Sequence, residues 1–217
     1  MLLKTEINPI KTIVQILCIA YLGMNIASAQ PIQCDANQHS STPKRLCQDD
    51  FKQLRQKFNE KYLTAFLVTD APTRLLDDTN TLWLKHIQQC KSTHCYKQQF
   101  ELRFDDLNFY TSMNQSLTQH FIKYEQGQIA QQPVHIQVHQ LTKARIKIEG
   151  IAYRNPNNRQ DTQVVSLLAY TTPDKKNEIL DNEHNCKYQL NFQKAILTVA
   201  SQQKGCERFV GTYRLYD

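Results

Sequence analysis

His86, Cys90, His94 and Cys95 bring two imidazoles and two thiols into one short segment, a set that in reduced form can hold zinc. His86 and Cys90 fall one helical turn apart, and His94 lies just beyond. Zinc needs thiolates, and the cysteine pattern argues that these are oxidised. Of the seven cysteines, Cys18 lies in an apolar N-terminal stretch. The others form three close pairs, Cys34/Cys47, Cys90/Cys95 and Cys186/Cys206. An even, paired set behind an export signal marks a disulfide-stapled chain from an oxidising compartment. We therefore expect a disulfide with two exposed histidines at this segment, no metal site, and no free thiol for Cys/His catalysis.

His135 and His139 also have the spacing of a helical metal pair. They alternate with Val134, Ile136 and Val138, however, which is a strand pattern, and residues four apart on a strand lie about 13 Å from each other. One ion does not bridge that gap, so both are read as solvated histidines on the polar face. Adjacent acids occur at Asp49-Asp50, Asp77-Asp78 and Asp105-Asp106. Neighbours on a helix point about 100° apart, so no pair by itself sets two carboxylates at one scissile bond. Asp49-Asp50 and Asp77-Asp78 are expected to favour the first turns of their helices. Asp70, Asp77 and Asp78 have a second reading, as an exposed acidic turn between helices that meets a cationic partner. No serine sits in a nucleophile-elbow context, and the five glycines form no phosphate-cradling loop. No catalytic residue and no cofactor is assigned, and we read the chain as non-enzymatic.

The elements carrying these residues begin after residue 29. Lys4 and Lys11, the apolar run Ile13 to Ile26, and Ala27-Ser28-Ala29 read as a secretory signal peptide over residues 1–29. The expected product is periplasmic or secreted and soluble, with no membrane span in its mature form. Over residues 30–125 the apolar residues recur at helical spacing. A first helix opens at Thr42-Pro43 and carries Leu46, Phe51, Leu54, Phe58, Tyr62 and Phe66 on its stripe. A second runs over 74–89 with Leu76, Trp83 and Ile87. A third, capped by Ser92 or Thr93, carries Tyr96, Phe100, Phe104, Leu107 and Tyr110, and after a break near Asn114 continues through Leu117 and Phe121. Over residues 126–217 the alternation has period two, giving about six strands: one through Val134–Val138, one through Ala144–Ile148, then Val164–Tyr170, Tyr188–Phe192, Ile196–Ala200 and Phe209–Tyr216. The expected fold class is α+β: an N-terminal antiparallel three-helix bundle, then a small antiparallel β-sheet or partly open barrel domain.

The cysteine pairs fit this division if each closes locally. Cys34–Cys47 then ties an extended segment to the first helix, Cys90–Cys95 brackets the turn between helices two and three, and Cys186–Cys206 flanks a hairpin. A rival pairing joins Cys34 or Cys47 to Cys90 or Cys95, because an antiparallel second helix ends near the start of the first. The net charge of +6 is too low and too dispersed for a nucleic-acid footprint.

Cys34-Asp35-Ala36, Thr42-Pro43-Lys44-Arg45-Leu46-Cys47-Gln48-Asp49, Leu54, Tyr62, Trp83-Leu84, Cys90, Cys95, Arg103 and Leu107 together resemble the LprI-type lysozyme-inhibitor family over residues 34–110. The C-terminal half resembles a β-module appended to such domains, through Cys186, Tyr188, Leu190, Phe192, Cys206 and Phe209-Val210-Gly211-Thr212-Tyr213. The resemblance implies an exported helical scaffold and, for some members, inhibition of a lysozyme. The expected partner is thus a lysozyme or other cell-wall hydrolase occluded by the acidic turn. The alternative is a cell-envelope accessory protein that binds peptidoglycan or another exported protein through its basic β half.

Overall fold

The computed structural model describes residues 32–34, 44–112, 115–158 and 163–216. The expected signal segment over residues 1–29 with Cys18, Asp35-Ala36 and the expected Thr42-Pro43 helix start lie outside them. Two short 3-10 turns, Lys44–Cys47 and Asp49–Phe51, lead into α1 (Lys52–Val68), followed by α2 (Thr73–Ile87) and α3 (Thr93–Ser112). Ser92 caps α3 as expected, its Oγ accepting the Cys95 amide at 3.2 Å. The aromatic stripes meet where the helices cross. The Phe58 and Trp83 rings stack at 4.7 Å between centroids, and Phe100 stands edge-on to Trp83 at 5.3 Å. The Trp83 indole N–H donates to the Gln99 carbonyl at 3.1 Å, so its polar atom is satisfied within the core.

Among the described residues nine strands form one antiparallel sheet: β1 (Thr118–Glu125), β2 (Gln128–Ile129), β3 (Val134–Thr142), β4 (Arg145–Tyr153), β5 (Val164–Thr171), β6 (Glu178–Leu180), β7 (Lys187–Gln193), β8 (Ile196–Ala200) and β9 (Gly211–Tyr216). Their order is β5-β4-β3-β1-β9-β8-β7-β6, with β2 pairing β1. The two ends of this path curl towards each other. The Asn182 amide donates to the Leu168 carbonyl at 2.8 Å, and the Leu168 amide donates to the Asp181 carboxylate at 3.0 Å. The sheet is therefore a nearly closed barrel, its last gap spanned by the β6–β7 loop and a buried carboxylate. Phe121, Ile136, Ile148, Leu197, Phe209 and Tyr213 are among the residues filling its interior. Gly150 is required by that packing: a Cβ there would lie 2.7 Å from the Phe209 ring.

The α+β class and the three local disulfides agree with the sequence. Cys34–Cys47, Cys90–Cys95 and Cys186–Cys206 are all formed. One element differs. Leu117 ends a 3-10 turn, and Phe121 lies in β1 rather than in a continued third helix. β1 sits between β3 and β9 and is buried on both sides at His120, Phe121 and Ile122. A strand buried on both faces loses its apolar–polar alternation, so it does not announce itself by period. β2 and β6, of two and three residues, are too short to show one.

Candidate functional site

Parity along the central strands fixes which side chains leave the barrel. Val134, Ile136 and Val138 of β3 and Ile146, Ile148 and Ala152 of β4 point into it. The alternate residues form two cross-strand rows on the outer face. The first is His120–Gln137–Glu149–Leu168 and the second Ile122–His135–Ile151–Ser166. This face is covered by α2 and α3. The His120 and Tyr110 ring centroids stand 6.0 Å apart, and those of His86 and Tyr153 5.4 Å. Helices and sheet belong to one compact unit.

Between the layers lies a cavity of about 350 Å³. Thr79, Leu82, Trp83 and His86 face it from one side of α2, at three- and four-residue spacing; Arg103, Asp106, Phe109 and Tyr110 face it from α3. His135, Gln137, Glu149, Ile151 and Tyr153 line it from the strands. Asp105, Ser166 and Glu183, all exposed, stand at its mouth.

A buried polar group centres on Arg103, only 2% exposed. One terminal nitrogen lies 3.6 Å from an Asp106 carboxylate oxygen, and the other donates to the Thr79 hydroxyl at 3.3 Å. Its Nε is buried and has no partner among the described residues. The Tyr153 hydroxyl donates to the same Asp106 oxygen. Burial raises the Asp106 carboxyl above its ordinary range, with Arg103 and the Tyr153 hydrogen bond opposing it. Burial also raises the hydroxyls of Tyr110 and Tyr153, which stay protonated.

Beside this group the imidazoles form a relay. The Gln137 amide nitrogen lies 3.4 Å from His135 Nδ1, and His135 Nε2 lies 3.2 Å from His120 Nδ1. An amide NH2 only donates, so His135 carries its proton on Nε2 and passes that donor to His120, whose own N–H is then on Nε2. Burial pushes His86 and His120 down to about 4 and holds His135 well below its ordinary value, the neighbouring His120 and Arg103 adding to the effect on His135. All three are neutral at pH 7.

Two expectations about histidine are thus corrected. His86 is 1% exposed rather than solvated beside the disulfide, whereas His94 is exposed. His135 lines the cavity, and His139 is 8% exposed, its Nδ1 at 2.5 Å from the Thr118 hydroxyl. The alternation located their face correctly; α2 and α3 shield part of that face from water at His135, and Thr118 of β1 meets His139.

The three acids of the proposed turn separate. Asp70 is exposed and accepts the Gln115 amide at 2.8 Å. Asp77 and Asp78 are half-buried at the fifth and sixth positions of α2, beyond its first turn. Asp77 accepts the Tyr62 hydroxyl at 3.0 Å, tying α2 to α1. Asp78 accepts the Tyr216 hydroxyl at 2.9 Å, tying α2 to β9, and lies 3.5 Å from Arg74 Nε. Asp49 and Asp50 do lie in the first turn of a helical segment, the 3-10 turn before α1.

Sequence reasoning passed over His120, Gln137, Glu149 and Tyr153 as site residues. One signal was present: Arg103 stands within the apolar stripe of α3, three residues after Phe100 and next to Phe104. A charged residue at a core position marks a buried polar site. No protein-family model matches this chain, and no curated protein or solved structure matches it.

Proposed function

We propose that this chain is an exported, non-enzymatic binding protein that occludes a muramidase in the manner of the LprI-type inhibitors its cysteine framework resembles. The supporting observation is an exposed apolar strip where α1 ends. Leu63, Leu67 and Val68 are 55%, 70% and 61% exposed. Leu117, 52% exposed, lies two residues beyond the amide that Asp70 holds. Exposed apolar side chains gathered at one place mark an interaction surface. The carboxylate of Asp70 beside them suits a cationic enzyme of the common lysozyme type. Three disulfides suit an oxidising compartment. Among the described residues no helix is long and apolar enough to cross a membrane.

Equilibrium binding to a panel of muramidases tests this reading. At least one member should form a 1:1 complex. The double variant Leu67→Ser/Val68→Ser should weaken it about tenfold or more, and Asp70→Asn, which keeps an acceptor for the Gln115 amide, should weaken it less. No complex with any member removes the function; undiminished binding by both variants removes the surface.

A second reading draws on the β half, where Lys175, Lys187, Lys194 and Lys204 are all exposed. These cations suit an anionic envelope polymer. Retention on cell-wall sacculi that disappears at high salt, without muramidase binding, would favour it.

A further inference from the structure

We propose that the cavity between α2, α3 and the outer face of the sheet binds a small molecule with an apolar body and a single carboxylate, the carboxylate meeting Arg103. The site is independent of the α1 surface, and either can fail without the other. Its volume of about 350 Å³ lies in the range of small-molecule sites. Leu82, Trp83, Phe109, Ile122, Ile151 and Leu168 make most of its wall apolar. An apolar wall without polar ends would suit a hydrocarbon, but this one is not of that kind.

Arg103 supplies the anchoring charge. It is 2% exposed, its contacts to Asp106 and Thr79 are long at 3.6 and 3.3 Å, and its Nε has no partner among the described residues. A guanidinium taken out of water with one donor unused is a receptor for a planar two-oxygen acceptor. Both ring nitrogens of His86, on the same wall, also lack partners among the described residues. A neutral imidazole always has one N–H to give, so His86 supplies a second donor.

The acids on the wall set the charge the ligand can carry. Asp106 already draws on Arg103, and Glu149 is matched by Lys147 at 2.7 Å. Asp105 and Glu183 line the cavity at exposed positions. A phosphate monoester, with a charge approaching −2 at neutral pH, would bring more negative charge than one shared guanidinium offsets. A monocarboxylate fits that balance. Its source is either a free medium-chain fatty acid or an apolar amino acid.

Trp83 is the chain's single tryptophan and lines the cavity, so its fluorescence reports occupancy directly. The wild-type protein is titrated with octanoate, phenylalanine, octan-1-ol and octyl phosphate. A saturable change with octanoate, phenylalanine or both is expected, and which of them binds identifies the source. The alcohol and the phosphate should bind about tenfold or more weakly, the loss expected for one charge-assisted hydrogen bond. Arg103→Gln should weaken carboxylate binding about 10- to 100-fold. If that variant does not fold, Ile151→Phe, at a half-buried wall position, should narrow the cavity and weaken binding about tenfold without touching Arg103. No saturable response to either carboxylate overturns the proposal. So do octan-1-ol binding as tightly as octanoate, full affinity in a folded Arg103→Gln, and full affinity in Ile151→Phe.

Discussion

His86 and His120 hold neutral imidazoles in places water does not reach, and that sets how the protein responds to acid. Both are pushed down to about 4 in the folded chain, chiefly by burial. In the unfolded chain each takes up a proton near its ordinary value of about 6.5. Between these values the unfolded state binds more protons. Their contribution to stability is therefore complete above pH 6.5 and is lost as pH falls towards 4, at about 1.4 kcal/mol per pH unit for each histidine. Asp106 has the opposite sign: its carboxyl is raised, so the folded state takes up that proton earlier and offsets part of the loss. Urea unfolding between pH 7 and 4.5 should show a net fall in stability. His86→Leu should reduce the slope by about one proton over that window while changing stability at pH 7 little; an unchanged slope would mean that His86 is not held neutral. The sequence disclosed the side of the strand on which His135 and His139 lie. It did not disclose that side's surroundings, because alternation reports two unlike faces and not whether the polar one meets water or a helix.

The turn between α2 and α3 shows how an element is held from outside as well as within. Cys90–Cys95 closes it, but Asn157, on the loop between β4 and β5, clips it to the sheet. The Lys91 amide donates to its Oδ1 at 2.9 Å, and its Nδ2 donates to the Gln89 carbonyl. Asn157→Ala should cost about 1–3 kcal/mol in chemical denaturation, the value of two net hydrogen bonds. Removing the Cys90–Cys95 bridge by a double Ala variant should cost about 2 kcal/mol, and removing Cys186–Cys206 about 3 kcal/mol, because the second bridge closes the longer loop. If the shorter bridge proves the costlier, its role lies in docking the turn rather than in restricting the unfolded chain. Helices with one wet side, such as α2, and strands with one apolar side, such as β3 and β8, were legible from period alone. β1 was not, since Phe121 follows Leu117 by four residues and so continues the helical spacing of α3, and one of its two long partners, β9, lies far away in sequence.

At the scale of the whole molecule, α2 and α3 partly cover the outer face of β4, β3 and β1, leaving Gln137, Glu149 and Ile151 half-buried beneath them. The Arg103–Asp106–Tyr153 group and the Tyr216–Asp78 bond join helices to sheet. Trp83 fluorescence, which reports the helices, and amide exchange in β8 and β9, which reports the barrel, should therefore follow one cooperative transition. Two separated transitions would mean that the layers are only loosely joined. The function proposed at this scale is recognition, through an exposed apolar strip beside Asp70 and a cavity that the helices and strands build jointly. The most direct test is a cell-wall lysis assay with the oxidised wild-type protein, alone and titrated against a muramidase panel. The expected result is no lysis by the protein itself and a dose-dependent, saturating loss of activity of at least one muramidase. Lysis by the protein alone, or undiminished activity of every muramidase, would contradict the proposed role as an inhibitory binding protein.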